Sequence, residues 1–395
     1  MSWPVVKVGD VCSLMTGGTP KTKVPEYYEG GDIPWIVSGD IHKGEIFDCE
    51  KKITSLAIEN SNARYLPKNS VLIALNGQGK TRGTVALLRI ENATCNQSIV
   101  SINPNRNDEL FSDYLFYYLK SIYQQIRNIT GDKDRAGLNM PLIREIEIPL
   151  PPLAEQKRIA AILDKADALR RKRQQAIDLA DQFLRSVFLD MFGDPVSNPK
   201  GWGVSSLPKH GAFKNGLNFG KGESGNLLRY LGVGNFKSLT SIDDVASLGF
   251  IELNDVPAQD YLIRDGDLVF VRSNGNKALV GRCISVYPAD EKLTFSGFCI
   301  RYRVEDQFIE PEYLNYLFRM PSMKHAMLQE GQGANIQNIN QQILSRLSIP
   351  LPPIDEQLKF CRVVEQMKCL KLKLSSFGKQ PIFESLSQQA FSGKL

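Results

Sequence analysis

Apolar residues along this chain recur with two different periods. In two long stretches they fall every three or four positions: Ile159, Ile162, Ala166, Leu169, Ala176, Ala180, Phe183 and Val187, then Phe360, Val363, Met367, Leu370, Leu374 and Phe377. That spacing predicts a narrow stripe along a helix, of the kind that forms the seam of a coiled coil. The second stripe keeps the register of the first at an offset of 201 (360 − 159), so the two are expected to face each other. Leu163, Phe188, Leu189 and Met191 fall beside the seam and are expected to offer apolar surface to a partner. Elsewhere the runs are short. Residues 32–38, 70–75, 84–90 and 98–102 look like strands punctuated by Gly, Asn and Pro, and 111–129 looks like a helix.

Each long stripe follows the same nine residues. Ile148-Pro149-Leu150-Pro151-Pro152-Leu153-Ala154-Glu155-Gln156 returns as Ile349-Pro350-Leu351-Pro352-Pro353-Ile354-Asp355-Glu356-Gln357. Proline is tolerated in a first helical turn and excluded from a helix interior, so each diproline marks a helix start. Glu155 and Glu356 then lie near the positive end of the helix dipole. The first helix is expected from Ala154 to Phe192, where Gly193-Asp194-Pro195 stops it. The second should break near Gly378-Lys379-Gln380-Pro381 and restart to Phe391.

The regions before the two motifs repeat more loosely. The 261–272 segment answers 65–75, Tyr313-Leu314-Asn315-Tyr316 answers Tyr114-Leu115-Phe116-Tyr117, and Asn340 answers Asn139. The expected plan is therefore α+β: a mixed domain (1–150), a spacer helix (151–193), a second mixed domain (194–349) and a C-terminal helix (350–395). The two helices are expected to face each other along their stripes.

Two polar loops recur in both halves. Asn76, Gln78, Lys80 and Arg82 gather in the first, and Arg272, Asn274, Asn276 and Lys277 in the second. A further polar loop follows in each half, with Lys133 and Arg135 in the first and Asn335 and Gln337 in the second. Arg and Lys can read guanine edges, Asn and Gln adenine edges, and all can hold phosphate. These twelve residues are the candidate DNA-binding set. Arg170-Arg171-Lys172-Arg173 on the first helix is a solvated face, or a contact for phosphates or a partner.

Composition narrows the function. A net charge of +5 over 395 residues is compatible with nucleic acid without being diagnostic. Seven cysteines without a CxxC pair and three scattered histidines predict no zinc site and no disulfide framework, hence a reducing, cytoplasmic setting. No apolar stretch reaches membrane-spanning length. Ala74-Leu75-Asn76-Gly77-Gln78-Gly79-Lys80-Thr81 approaches a phosphate loop, but β-prone Arg82-Gly83-Thr84-Val85 follows where a helix must open. Neither diproline carries the Asn/Asp-Pro-Pro-aromatic motif of adenine methyltransferases, and no nuclease carboxylate set is evident. The expectation is no catalytic residue, no metal and no cofactor. The rival readings are a stand-alone methyltransferase or nuclease with an unrecognised site, and a coiled-coil adaptor that touches no bases.

Taken together, the Pro-Leu-Pro-Pro-Leu-Ala-Glu-Gln helix start, the exit Met191-Phe192-Gly193-Asp194-Pro195, the restart Asn198-Pro199-Lys200-Gly201-Trp202 and the closing Ser392-Gly393-Lys394-Leu395 resemble the specificity subunit of type I restriction–modification systems. The resemblance covers the whole chain. It implies two target-recognition domains joined by two conserved helices packed as an antiparallel coiled coil, a pseudo-twofold repeat, with each domain reading one half of a split double-stranded DNA sequence. It also implies partners: two modification subunits with the adenine methyltransferase sites, and restriction subunits with the motor and nuclease. It does not carry over base-contacting residues.

Overall fold

The structure, a computed structural model, describes residues 3–77, 81–129, 137–220, 222–237, 239–329, 338–376 and 382–395. The chain forms two compact units, Met1–Gln174 with Ser376–Leu395, and Gln175–Ser375.

In unit 1 a five-stranded sheet runs in the order Cys12–Thr16, Ile99–Pro104, Val71–Ala74, Val85–Leu88, Glu45–Ile46. A three-stranded sheet runs Lys52–Ile53, Ile33–Ile36, Thr94–Cys95. Unit 2 repeats both orders. Its larger sheet is Gly211–Asn215, Cys299–Val304, Asp267–Val271, Cys283–Val286, Ser241–Ile242, and its smaller one Phe250–Leu253, Asn226–Leu231, Leu293–Phe295. Parallel and antiparallel pairings also correspond, as in Glu45↔Leu87 and Ser241↔Ser285, both parallel. Strands 71–74 and 267–271 are buried on both faces, which explains their unbroken apolar runs.

The repeated nine residues are used twice in the same way. Ile148 and Pro149 pair with Val6 and Val5, and Ile349 and Pro350 with Ser205 and Val204. Gln156, fully buried, takes the Phe111 N–H at 2.8 Å and donates to the carbonyls of Glu109 and Pro151. Gln357 does the same with Glu310 (2.9 Å), Phe308 and Pro352. A buried amide that lost these partners would leave polar groups unsatisfied, so the glutamine is fixed by the fold itself. Tyr114 and Tyr313 each donate to the carbonyl of the motif proline, Pro149 and Pro350. Asn139 and Asn340 cap short helices through the N–H of Leu142 and Ile343.

The helices run as expected, Leu153–Phe192, Ile354–Ser376 and Ile382–Phe391, and the anticipated break at 378–381 lies outside the described residues. Within unit 2 the end of the first helix lies antiparallel to the second. Phe188 and Phe192 meet Phe360, with centroids 5.5 and 5.6 Å apart, and Asp181 bonds Lys371 at 2.8 Å. Within unit 1 the terminal helix covers the start of the first: Arg158 reaches the Leu395 carbonyl, and Phe391 packs on Tyr114 and Tyr118.

The stripe assignment needs correction. Leu163 and Phe188, expected to be offered to a partner, are fully buried in the cores of their own units. Ile159 and Phe360 are buried beside them, Ile162 and Ala166 are half-buried, and Val363 and Met367 pack at the margin of the unit 2 core. Leu169 and Leu370, placed on the seam, are 45% and 43% exposed. The cause is geometric: the first turns of each helix pack on the mixed domain, so the buried stripe is centred about one position away from the seam read off the sequence. Among the described residues, no helix is long and apolar enough to cross a membrane.

Candidate nucleic-acid interface

One row of backbone hydrogen bonds crosses the end of each unit. In unit 1 the Leu75 N–H donates to Ser98 (2.8 Å), Leu138 N–H to Leu75 (3.0 Å), and Gly83 N–H to Ala74 (2.9 Å). In unit 2 Arg272 N–H donates to Phe298 (2.8 Å), Ile339 N–H to Arg272 (3.0 Å), and Gly281 N–H to Val271 (2.9 Å). The loops that close onto the row turn at Gly83 and Gly281, whose φ of +81° and +75° suits glycine. Beside the row, a Cβ on Gly17 or Gly216 would lie 1.9 or 2.0 Å from a carbonyl oxygen, Cys95 or Ser296, so both close approaches require glycine.

The row brings together the two polar loops that the sequence singled out in each half. The loop after Leu75 meets the chain returning at Gly137 and Leu138. The loop after Arg272 meets the chain returning at Asn338, which bridges Ser273. Asn76, Arg272, Asn276 and Lys277 are exposed there, and Asn274 is half-buried. Gln78, Lys80, Lys133, Arg135, Asn335 and Gln337 lie outside the described residues. Arg82 departs from expectation: it is 7% exposed, at the position that buried Val280 fills in unit 2, so it faces inward. The Asn274 and Asn276 side-chain oxygens accept the N–H groups of Asn276 (2.8 Å) and Ala278 (3.0 Å), which orients both amides so that their NH2 groups are available to donate. A strand, Val85–Leu88, follows Thr81, so the segment is not a phosphate loop opening a helix.

Sequence reasoning missed two side chains on this surface. His42 contacts the Thr81 hydroxyl at 3.0 Å. Phe298 is 59% exposed on the turn whose carbonyl holds Arg272. A large aromatic directly after Ser296-Gly297, between two apolar runs, was the available signal.

Two members of the helical basic run, Arg170 and Arg171, pair with a buried carboxylate. Asp167, buried, receives Lys120 (3.1 Å), Arg170 (2.9 Å) and Arg171 (3.3 Å), and Arg171 continues to Glu45 at 3.2 Å. Burial alone would raise the Asp167 pKa, but Lys120 and Arg170 outweigh it and hold the carboxyl below its usual range. In unit 2, Lys368 joins the second helix to Glu312 (2.7 Å) and Asp243 (3.1 Å). Burial pushes the thiols of Cys12, Cys95 and Cys299 up to about 12, which leaves them poor nucleophiles at neutral pH. His210 bonds both Asp306 (2.6 Å) and Ser205 (2.7 Å), a contact that fastens the ladder pairing Ser205 with Ile349 to the loop at Asp306.

The family profile described as the type I restriction modification DNA specificity domain matches residues 1–179 and 225–375. The MjaIX specificity subunit of a type I restriction enzyme from Methanocaldococcus jannaschii is 31% identical over 52% of this chain, and the match spans half of that relative's length. The EcoKI specificity subunit from Escherichia coli K12 is 24% identical over 92% of this chain and 82% of its own length. The crystal structure of a type I S subunit from M. genitalium covers 99% of this chain and 96% of its own, with a TM-score of 0.54 at 17% identity. A chain from a structure on complex assembly and conformational transition of the type I R-M system covers 100% and 98%, with a TM-score of 0.52 at 17% identity. Both structures share the fold.

Proposed function

This chain belongs to the type I restriction modification DNA specificity family, and we propose that its two units read the two parts of one split DNA target. The observation that carries the reading is the duplicated row: one backbone frame, built twice, holds a pair of polar loops at the end of each unit with different side chains in each. A frame repeated around dissimilar readers suits a protein that performs one task on two sequences. Direct readout then falls to the loop side chains and phosphate contacts to their neighbours. Arg272 is assigned to a base edge and Lys277 to a phosphate. Adenine methylation belongs to two modification subunits bound to this chain, and DNA cleavage to restriction subunits. The chain is then a non-catalytic cytoplasmic subunit.

The test is the methylated motif produced when the chain is expressed with its modification subunits. Exchanging residues 5–145 for those of a relative should change one half of the motif and leave the other. Arg272→Ala should relax the half read by unit 2, a loss of about 1–3 kcal/mol of discrimination. Lys277→Ala should weaken binding to all duplexes alike. A motif whose halves change together would refute the two-reader arrangement.

A further inference from the structure

We infer that Phe298 is a specificity-determining residue, reading a thymine through its C5 methyl group in the half-target held by unit 2. The inference rests on the proposed two-reader function and adds the chemistry of one contact. Phe298 is a large apolar side chain left 59% exposed, while its backbone is tied on every side. Its N–H donates to Ser296 Oγ (3.2 Å), its carbonyl accepts from the Arg272 N–H (2.8 Å), and the neighbouring Gly297 N–H donates to Leu217 (2.7 Å). The ring is therefore carried on a rigid turn and loses little freedom on contact. The fold does not demand it, because the same place in the row of unit 1 is filled by Ser98.

Its surroundings point to base edges. Arg272 is its hydrogen-bonded neighbour, and Asn274, Asn276 and Lys277 follow on the same loop. In the major groove the apolar group on a base edge is the thymine methyl, the natural complement of an apolar side chain among polar readers. An Arg–Phe pair joined by this backbone bond would thus specify a guanine next to a thymine. Insertion of the ring between base steps is the competing use of such a side chain.

The assembled complex with its modification subunits tests this by binding duplexes that carry the methylated motif. Each thymine of the unit 2 half is replaced in turn by uracil, which removes only the methyl group. One position should weaken binding about fourfold, the effect of one methyl-sized group leaving an apolar contact. Phe298→Ser, which copies unit 1, should bind the thymine and uracil duplexes alike, and Phe298→Leu should keep a preference for thymine. Both variants should melt with the parent, since the ring is exposed. The inference is overturned if no uracil position matters, or if Phe298→Ser weakens binding to every duplex equally and leaves uracil sensitivity intact, as insertion or a structural role would require. If the parent complex does not distinguish its motif from a scrambled duplex, the two-reader function itself falls, a result distinct from specific binding without a methyl effect.

Discussion

The two units have the same strand order, the same ladder at the motif prolines and the same buried glutamine, yet they fill equivalent positions with different chemistry. At the row, Leu75 and Ser98 in unit 1 stand where unit 2 has Arg272 and Phe298. Inside the larger sheet, Ser70, Ser101 and Asn103 form a neutral network, with the Asn103 amide donating to Ser101 at 2.9 Å. The register places Asp267, Arg301 and Arg303 there in unit 2, where Arg303 grips Asp267 at 2.6 Å and Arg301, 5% exposed, leaves Nε and Nη1 without a partner among the described residues. On the covering helices, Leu184, Phe188 and Phe192 correspond in spacing to Phe383, Ser387 and Phe391, of which Phe391 is half-buried. The comparison separates two kinds of residue. The motif glutamine, the tyrosine on the motif proline and the capping asparagine recur, because the backbone groups they satisfy are the same in either unit. Side chains that chiefly bond one another, fill space or face solvent are at liberty to differ.

The largest test of this separation is Phe188→Ala. Its ring packs among Phe192, Tyr313 and Phe360, so unit 2 should lose about 3–5 kcal/mol. Ser387→Ala at the matching site of unit 1 should change stability by about 1 kcal/mol or less, because its buried hydroxyl has no hydrogen-bond partner among the described residues to lose. Hydrogen exchange resolved by unit would separate the two, and equal losses would break the correspondence. Next in size is Asp267→Ala, which strands Arg303 and should cost about 3 kcal/mol, against about 1 kcal/mol for Ser70→Ala in the neutral network. Denaturant midpoints decide it.

The acid response should also differ. Asp167 has a folded pKa below its unfolded value, so its contribution is present above about pH 3.9 and is lost as pH falls through the folded pKa. Asp167→Asn should flatten the acid limb of unit 1 and leave that of unit 2 unchanged in unit-resolved exchange. Smallest is Arg301→Met, which removes two unpartnered nitrogens from a buried site and should be neutral or stabilising by about 1 kcal/mol. A clear loss of stability would mean that Arg301 holds a partner.

Much of the frame was legible because its signals are local. The diprolines fix the helix starts, the apolar runs at 71–74 and 267–271 fix two central strands, and Asn139 and Asn340 recur at matching places, where the structure shows both as helix caps. The offset of 201 revealed the duplication before any contact was known. Less legible was which neighbour each stripe faces. A period of three and four fits a helix partner and a mixed domain equally, so Leu163 and Phe188 were assigned to the wrong side of the stripe. At the interface, the loops were visible as polar segments, but Arg82 looked like its neighbours while facing inward, and Phe298, an aromatic between apolar runs, carried no polar signal. Local composition cannot tell the inside of a turn from the outside.

Unit 2 is one uninterrupted stretch, Gln175–Ser375, whereas the unit 1 core is closed by Phe383 and Ala390. On the ribosome, at about 5–20 residues per second, the roughly 200 residues between Gln174 and Phe383 delay that closure by about 10–40 s. Until then Ile159, Leu163 and the rings of Tyr114 and Tyr117 lack part of their cover. The domain synthesised first is thus the last to be completed, and a nascent chain of this protein carries an apolar face that a chaperone or an early-binding subunit has time to meet.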